Sequence, residues 1–184
     1  MSKGSRTAGT LAAWLCIFSL GIFLFNLTNT TLSELQREDV QLVPVLLNLG
    51  HNVPAILAFI IKIIGFFKKK AHVVSLGFAI DIFAKATSFI PRLKAEGITF
   101  PALVYVALCT VPAIMIIVMA EGYKKPRFVY LPAIIYFILT IVHSAFFPLQ
   151  IEIVSSISVA ITTAIFLLSG LFVRTYHRMK KERY

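Results

Sequence analysis

Apolar residues in this chain fall in blocks of about twenty, separated by short polar stretches, and that spacing constrains the fold more than any other feature. A helix rising 1.5 Å per residue needs roughly 20 residues to cross a ~30 Å hydrocarbon layer. Hydrocarbon offers no water to backbone N–H and C=O groups, so a spanning segment must satisfy them internally, as a helix does. Composition agrees: 58% of residues are hydrophobic, 14% are charged and the mean hydropathy is +0.86. Soluble domains run at about 45–50% apolar and about 25% charged. The expectation is a single all-α transmembrane domain, a polytopic, multi-pass helix bundle in an endomembrane or the plasma membrane.

Six spans are expected, at 8–27, 42–67, 73–90, 100–120, 128–149 and 151–173, with a basic tail at 174–184 that extends the sixth helix. Residues 28–41 carry Glu34, Glu38 and Asp39 and are expected to form a short surface helix. Pro148-Leu149-Gln150 is too short for anything but a tight hairpin between the last two spans. The first span follows Lys3 and Arg6, as a secretory leader would. Its apolar run is too long for a leader core, and Phe25-Asn26-Leu27-Thr28 offers no small-x-small cleavage site, so it reads as a retained anchor.

The basic residues alternate from one side to the other. Lys3, Arg6, Lys68, Lys69, Lys70, Lys124, Lys125, Arg127, Arg174, Arg178, Lys180, Lys181 and Arg183 fall on one side, against Arg37, Arg92 and Lys94 on the other. Thirteen against three places both termini in the cytoplasm by the positive-inside rule. The net charge of +10 is therefore a matter of topology and anionic headgroups rather than of nucleic acid. Lys68, Lys69, Lys70, Arg178, Lys180 and Lys181 are the expected headgroup contacts.

The third span breaks the pattern with Asp81 and Lys85, four residues apart and so on one helix face. A central Asp or Lys costs about 2.5–3.5 kcal/mol on insertion, roughly 5–7 for the two, while the span's strong apolar residues return only about 3–5. The span needs neighbours, or Lys85 must reach out to the far interface; Asp81 and Lys85 are expected to pair. Lys62, near the cytoplasmic end of the second span, is expected to snorkel to that surface.

Polar residues recur at helical spacing elsewhere. Asn48, His51, Asn52 and Lys62 do so in the second span, Tyr136, Thr140, His143 and Ser144 in the fifth, and Ser155, Ser158, Thr162 and Ser169 in the sixth. Such stripes are expected to face inward. In one reading they permit close helix packing and interhelical hydrogen bonds. In the other, Asn48, His51, Asn52, Asp81, Lys85 and His143 converge on a hydrated site that binds a solute or ion or relays protons. Pro54, Pro91 and Pro112 mark possible helix irregularities, with Pro91 expected to end the third span.

Cys16 and Cys109 lie in apolar blocks without metal-ligand spacing and read as buried free thiols. No metal or cofactor is expected. Asn26 and Asn29 open N-glycosylation sequons that hug the membrane. Motifs for zinc hydrolysis, a serine nucleophile elbow, phosphate cradling or a potassium filter do not occur. The leading expectation is a non-catalytic accessory, assembly or scaffold subunit, with other membrane subunits or copies of itself as partners. A small proton-coupled or ion/solute transporter or channel-like protein is the alternative, with Asp81, Lys85 and His51 at its site, and an intramembrane enzyme comes third.

Overall fold

A computed structural model describes residues 3–36, 42–122, 128–146 and 153–181. The protein is all-helical. Among the described residues, six helices run in chain order: α1 (Lys3–Leu35), α2 (Leu42–Phe67), α3 (Ala71–Glu96), α4 (Phe100–Ala120), α5 (Leu131–Phe146) and α6 (Ile153–Lys181). Each packs on its neighbour in sequence, α6 closes back on α1, and α4 also meets α6 across the middle. Three segments are long and apolar enough to cross a membrane: Thr7–Leu35 (mean hydropathy 2.1), Phe100–Ala120 (2.6) and Ser156–Arg178 (2.1). Shorter apolar stretches come from α2 (Asn52–Phe67) and α5 (Leu131–Ala145).

Two boundaries differ from expectation, each for a local reason. Among the described residues no separate surface helix follows the first span, because α1 continues to Leu35. Thr28, Thr30 and Thr31 donate their hydroxyls to the carbonyls of Leu24, Asn26 and Leu27 at 2.8–2.9 Å, so these residues are absorbed into the helix. Nor does Pro91 end α3, which runs on to Glu96. The stop is set instead by Gly97, at φ 78°, the left-handed conformation that commonly closes a helix. Thr99 then caps α4, its side-chain oxygen accepting from the Ala102 amide. The expected hairpin at Pro148-Leu149-Gln150 lies outside the described residues.

Helices α2 and α3 form the tightest pair. Their turn is a Schellman closure: the Lys70 amide donates to the Gly65 carbonyl (2.9 Å) and the Lys69 amide to that of Phe66 (3.2 Å), with Lys69 left-handed at φ 53°. Beyond the turn the backbones nearly touch. A Cβ on Gly65 would stand 2.7 Å from the Val74 nitrogen, and one on Gly77 would stand 2.9 Å from the Lys62 nitrogen. Small residues at helix interfaces of this kind let dispersion and backbone contacts substitute for a hydrophobic drive that lipid does not supply.

Aromatic rings tie this hairpin to α6. Phe66 meets Phe172 edge-on at 5.4 Å, and Phe78 stacks on Phe166 at 5.5 Å. Gly9 of α1 lies against Phe172, and Gly170 of α6 lies against the Val129 carbonyl just before α5. The start of α1, the α2–α3 turn, the end of α4 and the last third of α6 therefore share one end of the bundle. Cys16 and Cys109 are free thiols, Cys16 buried as expected and Cys109 only partly so.

Candidate functional site

The polar centre of the bundle is built on α2 and α3. Asp81 stands ten residues into α3, ~15 Å from its start. One carboxylate oxygen, Oδ2, accepts from Lys62 Nζ at 3.0 Å, while Oδ1 lies 3.6 Å from Lys85 Nζ. The expected Asp81–Lys85 pair is present, but the closer partner is Lys62.

Lys62 corrects the snorkelling expectation. Its residue is only 3% exposed, and its ammonium sits 4.6 Å from the centre of the Phe59 ring and 5.0 Å from that of Phe78. The reason is directional. Side chains on an α-helix lean toward its N-terminus. Because Lys62 lies five residues before the end of α2, that lean carries it away from the nearby surface and into the bundle. Asp81, on the antiparallel α3, leans back toward the shared turn, so the two side chains incline toward each other. Gly77, one turn before Asp81, leaves the space that the Lys62 stem occupies.

Lys85 inclines by the same rule onto Asp81, one turn earlier in α3. Its side chain is 38% exposed, against 4% for Lys62 and 15% for Asp81. The groups that interact electrostatically with Lys85 after Asp81 are Cys109, Tyr136 and Tyr105, from α4 and α5. The Tyr136 side chain in turn meets Thr162 of α6. A polar seam thus crosses the bundle from α2 to α6.

The remaining predicted residues take different places. His143 is half-buried, its ring 5.4 Å from that of Tyr105, which also meets Phe89 at 5.4 Å. It borders the seam without joining the ion pairs of Asp81. Asn52 is half-buried on α2, ten residues before Lys62. Asn48 and His51 are positions on α2 whose side chains fall outside the described ones, as do those of Lys180 and Lys181 on α6. Lys68, Lys70 and Arg178 are exposed and Lys69 partly so, all at the shared end, where headgroup contact was expected.

Several hydroxyls of α5 and α6 are spent on their own backbones. Thr140 donates to Tyr136 O and Ser144 to Thr140 O at 2.8 Å, Thr163 to Val159 O at 2.8 Å and buried Ser169 to Ile165 O at 2.6 Å. Hydroxyls held this way satisfy themselves in an apolar medium and present few donors to a cavity.

A second polar cluster, absent from the sequence-based expectations, closes the shared end. His177 Nε2 lies 2.9 Å from the carbonyls of both Met119 and Ala120, in the last turn of α4. Glu121 lies 3.4 Å from His72 Nδ1, and the His72 ring meets Tyr176 edge-on at 6.3 Å. His72 and His177 carry no motif, so only the packing of α3, α4 and α6 makes them visible. Among the described residues, no group of three or more His, Cys, Asp or Glu side chains is arranged to hold a metal. Neither a known protein family, nor a curated protein, nor a solved structure matches the chain, so its functional reading rests on the geometry.

Proposed function

We propose that the chain is a six-span, multi-pass membrane protein with both termini cytoplasmic, acting without catalysis as an accessory, assembly or scaffold subunit. The observation that carries this reading is the closed centre between α2 and α3. Lys62, Asp81 and two aromatic rings satisfy one another inside the chain, and the hydroxyls of Thr140, Ser144 and Ser169 bond back to their own helices. That is the arrangement of groups holding helices together. The counter-charge α3 needs is supplied by α2, so its membrane placement requires no outside helper.

The topology draws support from the shared end. It gathers Lys68, Lys69, Lys70, Arg174 and Arg178 beside the start of α1, as the positive-inside rule asks of a cytoplasmic face. Partners are then reached through the apolar walls, where Phe18, Phe25, Phe83 and Ile141 face outward. In native membranes, gentle solubilisation and cross-linking should give a discrete assembly larger than one 20.5 kDa chain. Recovery as a stable monomer from native membrane would overturn the subunit reading, and a terminus accessible from the non-cytoplasmic side would overturn the topology.

One observation favours a second reading, a small ion or solute transporter. The Lys85 side chain is far more exposed than that of Lys62. Proteoliposome flux abolished by Asp81→Asn in a variant that still folds would establish it.

A further inference from the structure

We propose that Lys68 and Lys70, above the Trp14–Phe67 ring pair at the α1–α2 seam, bind an anionic phospholipid of the cytoplasmic leaflet. The lysines take its phosphate and the rings its upper acyl chain. The inference rests on the proposed topology and is independent of the subunit reading.

A phospholipid is charged at one end and apolar below, and the seam offers both in that order. A Cβ on Gly9 would lie 3.5 Å from the Phe66 carbonyl, so α1 passes the end of α2 at Gly9. Trp14 follows five residues later, ~7.5 Å deeper. Its side chain leans back toward the start of α1 and meets Phe67 edge-on, with ring centres 6.4 Å apart. Both rings stay open to the surroundings, Trp14 at 60% exposure and Phe67 at 45%. Tryptophan is favoured at the level where hydrocarbon gives way to headgroups. Lys68 directly follows Phe67 in the chain, and both it and Lys70 are exposed in the α2–α3 turn.

Below the rings, Ile64, Ile60 and Leu57 continue from Phe67 at alternating spacings of three and four, on one exposed face of α2. From Phe67 to Leu57 the stripe is ~15 Å deep, half of a ~30 Å hydrocarbon layer and so one leaflet. Charge selects the headgroup. Asp and Glu are absent from 1–33 and from 40–80, so neither α2, its turn, nor the facing part of α1 brings a carboxylate to the seam. At the same end of the bundle, Glu121 of α4 lies against His72. Lysines in this setting favour an anionic headgroup over a zwitterionic one. A soluble polyanion would leave the apolar stripe bare, whereas a phospholipid covers it.

The test uses the full chain in symmetric vesicles and reads the emission of its one tryptophan, Trp14, which lies in the site. With roughly a fifth of the lipid brominated high on its acyl chains, brominated phosphatidylserine in phosphatidylcholine should quench Trp14 about threefold more than brominated phosphatidylcholine, because each lysine favours an anionic lipid about fivefold. Lys68→Gln with Lys70→Gln should bring the two lipids level, and Arg174→Gln, on α6, should keep the preference. Equal quenching by both lipids in the unmutated chain, a preference that survives the double substitution, or one lost equally with Arg174→Gln would each overturn the proposal. So would weak quenching by either lipid, which would mean that a second copy or another helix covers the seam. Reporter fusions placing the α2–α3 turn outside the cytoplasm would refute the topology, while the lipid preference stays readable because both leaflets of the vesicle have the same composition.

Discussion

Removing the charge of Asp81 should cost more than removing either lysine, and the order follows from counting charges. As folded, two ammonium groups share one carboxylate. At an effective dielectric of about 20 the 3.0 Å contact is worth ~5.5 kcal/mol of attraction and the 3.6 Å contact ~4.6, before desolvation is charged against them. Asp81→Asn deletes both attractions and leaves two like charges together. Breaking a buried ion pair by removing one partner destabilises by about 3–5 kcal/mol, a fifth or more of the ~5–15 that a typical fold has.

Lys85→Met leaves the Lys62–Asp81 pair intact and neutral and should stay within about 1 kcal/mol of the unmutated chain. Lys62→Met keeps Asp81 beside Lys85 and should cost about 1–2 kcal/mol, since Met fills the stem's space but gives up the closer contact. Adding Lys62→Met to Asp81→Asn should recover stability rather than lose more, a coupling of about 1–3 kcal/mol. Reversible unfolding in mixed micelles, titrated with a denaturing detergent, measures all four variants. If Asp81→Asn proves no worse than the lysine substitutions, or its effect simply adds to that of Lys62→Met, the shared-carboxylate account is wrong.

Other substitutions probe the rest of the fold. His177→Ala withdraws the side chain facing the Met119 and Ala120 carbonyls and should destabilise by about 1–2 kcal/mol, seen as faster amide exchange at the end of α4. Lys69→Gly relieves a left-handed residue at φ 53° and should raise stability by up to about 1 kcal/mol in the same unfolding assay. Gly77→Leu drives a side chain into the Lys62 stem and backbone, so expression should fall further than for Gly21→Leu, whose Cβ meets nothing within 4 Å. The sequon residues Asn26 and Asn29 lie inside α1 rather than on a loop, so glycosidase treatment should leave gel mobility unchanged.

The sequence by itself determined that this is a chain of helices. Apolar blocks of membrane length dictate α1, α4 and α6, because a long apolar run without internal hydrogen bonds has no stable place in water or lipid. The side-by-side placement of Asp81 and Lys85 was equally legible, since helical geometry puts i and i+4 on one face. Local rules went astray where two signals competed. The threonines after Leu27 read as a break, yet their hydroxyls bond back along α1, and Pro91 read as a stop that Gly97 supplies instead.

Tertiary structure decided the partners. Lys62 is 19 positions from Asp81, and nothing local says that its side chain turns inward. That follows from the antiparallel α2–α3 packing that glycines at 65 and 77 allow, and from each side chain leaning toward its own helix's N-terminus. The same holds for His72, Glu121 and His177, which cluster only because the start of α3 and the ends of α4 and α6 lie together. Periodicity records which face of a helix is polar, whereas the identity of the group across the interface depends on the depth at which two helices are set side by side.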